Sequence, residues 1–186
     1  ITLGALMGFL LLSGGAYTSV LSPVIVQKEV AVASHTVTLT AYNAVSEQTD
    51  ADPLTTASGA YSNPEIVAAR SRNLADELPF GTIIEIDGPT AAQNTCGYGV
   101  VAPIIGYRVI ADTMNARFTD RIDVLFSTDS NYVQKNGNTK NAGMILGICS
   151  GATIRVVGHV DVQHMPKTQI ELARIVRGSD SALALK

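Results

Sequence analysis

The alternation of apolar and polar residues along the chain gives the first structural expectation. Thr36–Tyr42 reads TVTLTAY, with Val37, Leu39 and Ala41 set against threonines at a period of two, the pattern of a half-buried β-strand. Ile83–Ile86, Tyr107–Ala111, Ile122–Phe126 and Thr153–Val157 are further short runs rich in β-branched residues. Turn-forming clusters lie between them: Asp50-Ala51-Asp52-Pro53, Ser58-Gly59, Ser62-Asn63-Pro64, Asp87-Gly88-Pro89 and Asn136-Gly137-Asn138. Short helices are expected near Ser71–Glu77 and Ser130–Lys135. Many short strands separated by turns predict a mainly β domain over residues 36–161, built as a small closed barrel or a sandwich.

The two ends follow other patterns. Ile1–Leu12 is strongly apolar, small residues follow in Ser13-Gly14-Gly15-Ala16, and the first charged side chain is Lys28. A core helix of that length shows a polar face, so residues 1–26 are expected to be a signal peptide or a membrane anchor that continues through Val20–Val26. Such a leader opens with Met and a basic stretch, so the first residues of the segment are expected to be missing. Residues 27–35 form a connector. Residues 162–186 are expected to carry a short amphipathic helix, with Pro166 suited to its first turn and Ile170, Leu172, Ile175 and Val176 at helical spacing. That helix is expected to dock on the barrel, with Gly178–Lys186 as a frayed end.

Composition narrows the function classes. Of 186 residues, 46% are hydrophobic and 16% charged, ample apolar surface for a packed core. Net charge is −3, and there is no Trp. A nucleic-acid partner needs clustered cations or stacking aromatics, and neither pattern is present. Cys96 and Cys149 are the only cysteines, and in an exported chain such a pair is expected to bridge. A zinc site would need further ligands in close spacing. His159 and His164 are read as polar side chains at a strand end. Asp50 and Asp52 are read as an Asx turn, since the rest of a calcium loop is missing. A serine hydrolase reading lacks both the Gly-x-Ser-x-Gly turn and an obvious histidine partner, since His35 and His159 sit at the ends of the domain.

One stretch carries a candidate chemistry. If 122–126 is a strand, Ile122, Val124 and Phe126 face the core, and Arg121, Asp123 and Leu125 face the other way. Asp112 ends the preceding strand, so the chain can return it to the neighbourhood of Asp123. Two carboxylates in one groove raise one another's pKa, and a carboxyl that stays protonated can act as general acid on a glycosidic oxygen. The alternative is structural: Asp112 caps a turn, and Asp123 pairs with Arg121 or Arg117.

An ordered set of pieces resembles a known family. Thr38-Leu39-Thr40-Ala41-Tyr42, Thr56-Ala57-Ser58-Gly59, Val67-Ala68-Ala69, Pro79-Phe80-Gly81-Thr82, Ala111-Asp112 and Arg121-Ile122-Asp123-Val124 follow the order of the three-aspartate (3D) domain over roughly residues 36–158. That domain occurs in membrane-bound lytic transglycosylase A and in resuscitation-type cell-wall enzymes. The resemblance implies a six-stranded double-psi β-barrel with short helices and a sugar-binding groove. It implies cleavage of the MurNAc–GlcNAc β-1,4 bond of peptidoglycan with a 1,6-anhydro product and no cofactor. Asp123 is then the acid/base, Asp112 its supporting carboxylate, and Tyr42, Thr56 and Ser58 lie in or beside the groove. Peptidoglycan glycan strands are the implied partner, and the cell envelope, periplasmic or extracellular, is the implied location. Two positions depart from the pattern: Arg70-Ser71 stand where the family has its first aspartate, and Met114-Asn115 stand where many members have Gly-Gly. A glycan-binding barrel that does not cut, of expansin type, is the alternative function. A structural envelope domain, with Asp112 and Asp123 in salt bridges, is a third.

Overall fold

The computed structural model describes residues 33–50, 52–90 and 96–183, so the apolar segment at 1–26 and most of the connector lie outside the described residues. Six strands close into a barrel in the order β1-β5-β2-β4-β3-β8. They are β1 (Ser34–Asn43), β2 (Val67–Arg70), β3 (Thr82–Asp87), β4 (Arg108–Thr113), β5 (Arg121–Phe126) and β8 (Cys149–His159). The short strands β6 (Asn131–Val133) and β7 (Thr139–Asn141) form a separate hairpin. Two contacts in the barrel wall are parallel, β1 with β5 and β2 with β4, and the other four are antiparallel.

The strands are apolar on both faces, because both are covered. One cluster joins Val37, Ala68, Ile110, Val124 and Ile154 to α1 (Tyr98–Ile105) and α2 (Ala142–Leu146) through Val101, Ile105 and Leu146. The other joins Val67, Ala69, Val109 and Leu125 to α3 (Gln169–Leu183) through Leu172 and Val176. Each of those two helix side chains, once buried, contributes about 1.5–3 kcal/mol, which docks α3 on the barrel. Leu125 was expected to point away from the core. It does leave the face of Ile122 and Val124, but α3 and its neighbours bury it completely.

Other expectations are corrected in detail. The helix expected at 71–77 is a single 3-10 turn, Arg72–Leu74. The helix expected at 130–135 is instead strand β6, whose partner β7 lies across the Asn136-Gly137-Asn138 turn. Asn136 Oδ1 accepts from Asn138 N, and Gly137 takes a φ of 82°, so the turn chemistry overrides the helical spacing. α3 starts three residues after Pro166 and continues to Leu183, through part of the stretch expected to fray. β1 begins at Ser34, inside the expected connector. Helices α1 and α2 had no clear sequence signal, since α1 contains Pro103 and α2 is five residues long.

The Cys96–Cys149 disulfide ties the entry to α1 to the first residue of β8, with Cα atoms 5.3 Å apart. At the Pro79–Thr82 corner, Gly81 has a φ of 93° and a Cβ there would fall 2.2 Å from the Val160 carbonyl oxygen, so the position accepts only glycine. Among the described residues no helix is long and apolar enough to cross a membrane.

Candidate functional site

Asp112 and Asp123 are brought together by strand register. Ala69 of β2 pairs with Asp123 of β5 on one side and with Asp112 of β4 on the other. Thr40 of β1 pairs with Asp123 from its far side. The row Thr40–Asp123–Ala69–Asp112 therefore crosses four adjacent strands. A bulge in the β2–β4 ladder, where Ala68 pairs with Ile110 but Ala69 pairs with Asp112, makes this possible. It breaks the two-residue alternation, so Ala111 packs in Ala69's cluster while Asp112 lines the same cleft as Ala69. The methyl group of Ala69 leaves the space between the carboxylates open.

The cleft has a volume of about 400 Å³. Tyr42, Ala69, Asp112 and Asp123 line it from the barrel, Glu47–Asp50 and Pro53 from one loop, and Thr113–Asn115, Arg117 and Phe118 from another. Thr55, Ser62 and Arg72 complete its lining.

The two carboxylates have opposite surroundings. Asp112 Oδ2 accepts the Tyr42 hydroxyl at 2.8 Å, and its Oδ1 accepts the backbone N–H of Ala57 at 2.9 Å and of Thr113 at 2.8 Å. Asp123 Oδ1 is shielded from solvent and has no hydrogen-bond partner. Burial pushes the Asp123 carboxyl up to about 6; the Thr40 hydroxyl and the Arg121 charge oppose the rise, and the Asp112 charge adds to it. Tyr42 moves far above the ordinary phenol range, through burial first and the neighbouring Asp112 second, so its hydroxyl stays protonated and donates. Among the described residues neither aspartate is in an ion pair. The guanidinium groups of Arg117 and Arg121 instead lie over the Phe118 ring, each 4.7 Å from its centre.

The other expected site residues hold the scaffold of this cleft. Thr56 is buried, and its hydroxyl bonds the Ser58 hydroxyl at 3.0 Å and the Ala60 carbonyl at 3.0 Å. Ser58 N donates to Ala111 O at 3.1 Å, and Gly59 closes the turn with a φ of 83°. This turn aims Ala57 N at Asp112. Thr56 and Ser58 thus stand beside the cleft, and the hydroxyl-bearing residues that line it are Tyr42, Thr49, Thr55, Ser62 and Thr113. Ser71 is buried; its Oγ accepts from Arg121 N at 3.0 Å, which fixes the start of β5.

One functional-looking side chain escaped the sequence reading. Arg108 is fully buried below the site and donates to the carbonyls of Ile105, Pro64, Leu125 and Ile104 at 2.6–3.1 Å. Its sequence context, Tyr107-Arg108-Val109, gives no sign of burial. Among the described residues no group of three His, Cys, Asp or Glu is placed to hold a metal ion. Asp50 and Asp52 form successive Asx turns, with Oδ1 atoms accepting from Asp52 N and Leu54 N.

Fold and site together define a closed six-stranded β-barrel with two carboxylates in one open cleft. No known family model matches the chain, and a search of curated proteins finds no significant relative.

Proposed function

We propose that this barrel is a peptidoglycan-cleaving enzyme of the lytic transglycosylase type, with Asp123 as acid/base and Asp112 as its supporting carboxylate. The observation that carries the reading is the contrast between the two aspartates: Asp123, held near pH 6 with Oδ1 free of donors, faces the same cleft as Asp112, which three donors hold in place. Asp123 gives its proton to the glycosidic oxygen as the C1–O bond breaks. Positive charge that develops at C1 is stabilised by Asp112, kept in position by Tyr42, Ala57 and Thr113. The sugar's 6-hydroxyl oxygen then bonds to C1 and passes its proton to Asp123, which restores the acid and leaves a 1,6-anhydro ring. Water is not consumed, so one acid/base group serves both halves of the reaction.

The reading assigns the barrel to the double-psi class and the chain to the 3D-domain enzymes. Two parallel strand pairs in a closed six-stranded barrel are compatible with the first assignment. The ordered motifs around Tyr42, Gly59, Gly81, Asp112 and Asp123 support the second. The Cys96–Cys149 bridge is in keeping with an oxidising, exported location in the cell envelope.

The test is digestion of purified peptidoglycan by the protein and by Asp123→Asn, read by mass spectrometry. Anhydro-muropeptides from the unaltered protein and none from the variant are expected. Reducing-end products would replace the lyase with a hydrolase. Absence of products from either protein, with both pelleting with the wall, would replace catalysis with glycan binding.

A further inference from the structure

The segments that bring two arginines to the cleft are held in place. Arg72 and Arg117 both line the cleft, on two segments distant in sequence. Four hydrogen bonds clamp those segments together. Ser71 N donates to Arg121 O at 3.0 Å, and Arg121 N donates to Ser71 Oγ at 3.0 Å. Asn73 Nδ2 donates to Asp120 Oδ1 at 2.7 Å, and Asp120 N donates to Asn73 Oδ1 at 3.1 Å. Asp120 takes a φ of 51°, a backbone conformation that non-glycine residues rarely adopt, within this corner. Phe118 lies under both Arg117 and Arg121, so the ring orients two guanidinium groups at once.

Among the described residues, none of Arg72, Arg117 and Arg121 is in an ion pair. Glu47 and Asp50 line the cleft from a different loop. The cleft therefore carries both acidic and basic side chains, with Asp112 and Asp123 in the same space. A guanidinium recognises a carboxylate through a planar, two-pronged set of donors. Because Arg72 and Arg117 share the cleft with the acid/base, the carboxylate they meet sits on a sugar at or next to the scissile bond. A carboxylate at the far end of a long peptide branch does not meet that condition.

We infer that Arg72 and Arg117 select glycan strands that carry a free carboxylate on the sugar itself, such as strands stripped of their stem peptides so that the lactyl carboxylate is exposed. The inference rests on the proposed glycan-cleaving reading and names the substrate class for the same cleft.

The experiment compares three probes: peptide-bearing strands, amidase-stripped strands, and stripped strands whose carboxylates are capped as amides. Cleavage and binding, the latter by titration calorimetry on the soluble strands, are both measured for the unaltered protein and for Arg72→Gln and Arg117→Gln. Stripped strands are expected to be the best substrate and ligand. Capping them, or replacing either arginine, is expected to raise KM or Kd about tenfold while kcat changes little, as for loss of a hydrogen bond to a charged group. Unchanged melting temperatures would show that the variants fold. Equal use of capped and uncapped strands would overturn the inference, and so would a preference that survives both arginine changes. If no strand is cut but the arginine-dependent preference persists in binding, the cleavage reading fails and the carboxylate selection stands.

Discussion

Asp112 and Asp123 each lie one strand from Ala69, on opposite sides of it, and their environments are opposite as well. Three N–H and O–H donors converge on the first, whereas Oδ1 of the second is shielded from water and accepts none. One side chain is thereby fixed as an acceptor and the other is left with a proton it can give up near neutral pH.

This arrangement sets a pH profile. A general acid works in its protonated form, so kcat/KM is expected to hold below about pH 6 and to fall above it, where Asp123 ionises. A profile that rises through pH 6 would assign Asp123 the opposite role. Initial rates on soluble glycan strands between pH 4.5 and 8 read this directly.

The same residue affects stability in a calculable direction. The folded-state value of about 6 lies above the ordinary 3.8, so the folded state holds this proton more tightly than the unfolded state. The stabilising contribution is complete below the lower value and is lost as pH rises through the upper one. At pH 7.5 the buried charge costs up to about 3 kcal/mol on this basis. Asp123→Asn, which cannot ionise, is expected to raise Tm at pH 7.5 and to change it little at pH 4. Thermal unfolding at the two pH values checks the difference.

Tyr42→Phe removes one donor from Asp112 and nothing else from the cleft lining. Two backbone N–H groups remain, so Asp112 stays in place with less support. A hydrogen bond to a charged group contributes about 1.5–3 kcal/mol, so kcat is expected to fall about tenfold or more while KM changes less. Steady-state kinetics of the variant separate the two parameters.

Reduction tests the bridge. Cys96 and Cys149 are 53 residues apart, a loop whose closure is worth about 4 kcal/mol in the chain-entropy model. Reductant, or Cys96→Ser with Cys149→Ser, is expected to lower Tm by several degrees. An unchanged melting curve would remove the bridge from the account of stability.

Arg108→Ala is expected to be among the most damaging single changes. It strips the hydrogen bonds from the carbonyls of Pro64, Ile104, Ile105 and Leu125 in one step. The acceptors of Ile105 and Leu125 lie in buried hydrogen bonds, and each left unpaired costs about 1–3 kcal/mol, a large part of the stability of a domain. Arg108→Lys is expected to rescue little, since an ammonium cannot reach carbonyls arranged around a planar fork. Soluble yield and denaturant unfolding of the two variants test this.

Much of the barrel was legible where the side-chain pattern is strong. The alternation of Thr36–Tyr42 and the apolar runs at 83–86 and 122–126 became β1, β3 and β5 close to their expected bounds. β2 was harder, because Val67-Ala68-Ala69-Arg70 is short and buried on both faces, so it shows no alternation. The stretch 130–135 reads as a short helix but holds strand β6, since apolar spacing over a few residues does not distinguish the two. Of the candidate cleft, the sequence shows Asp112 at a strand end, Asp123 on the outward face of a strand and Tyr42 at the end of β1. The Ala57 donor on Asp112 and the arginine corner are not legible there, since they come from segments separated by tens of residues.

The sequence by itself determined a mainly β chain with a cysteine pair able to bridge, one aspartate at a strand end and another on the outward face of a strand. Local patterning suffices for these, because side-chain alternation and turn chemistry act over a few residues. Only the tertiary structure decided that Ala69 stands between the two aspartates, because that depends on a one-residue bulge in a parallel pairing of segments forty residues apart. It also decided which carboxyl keeps its proton. For Asp123 that property follows first from burial by the folded barrel, which the Thr40 hydroxyl of the adjacent strand and the Arg121 charge only partly oppose.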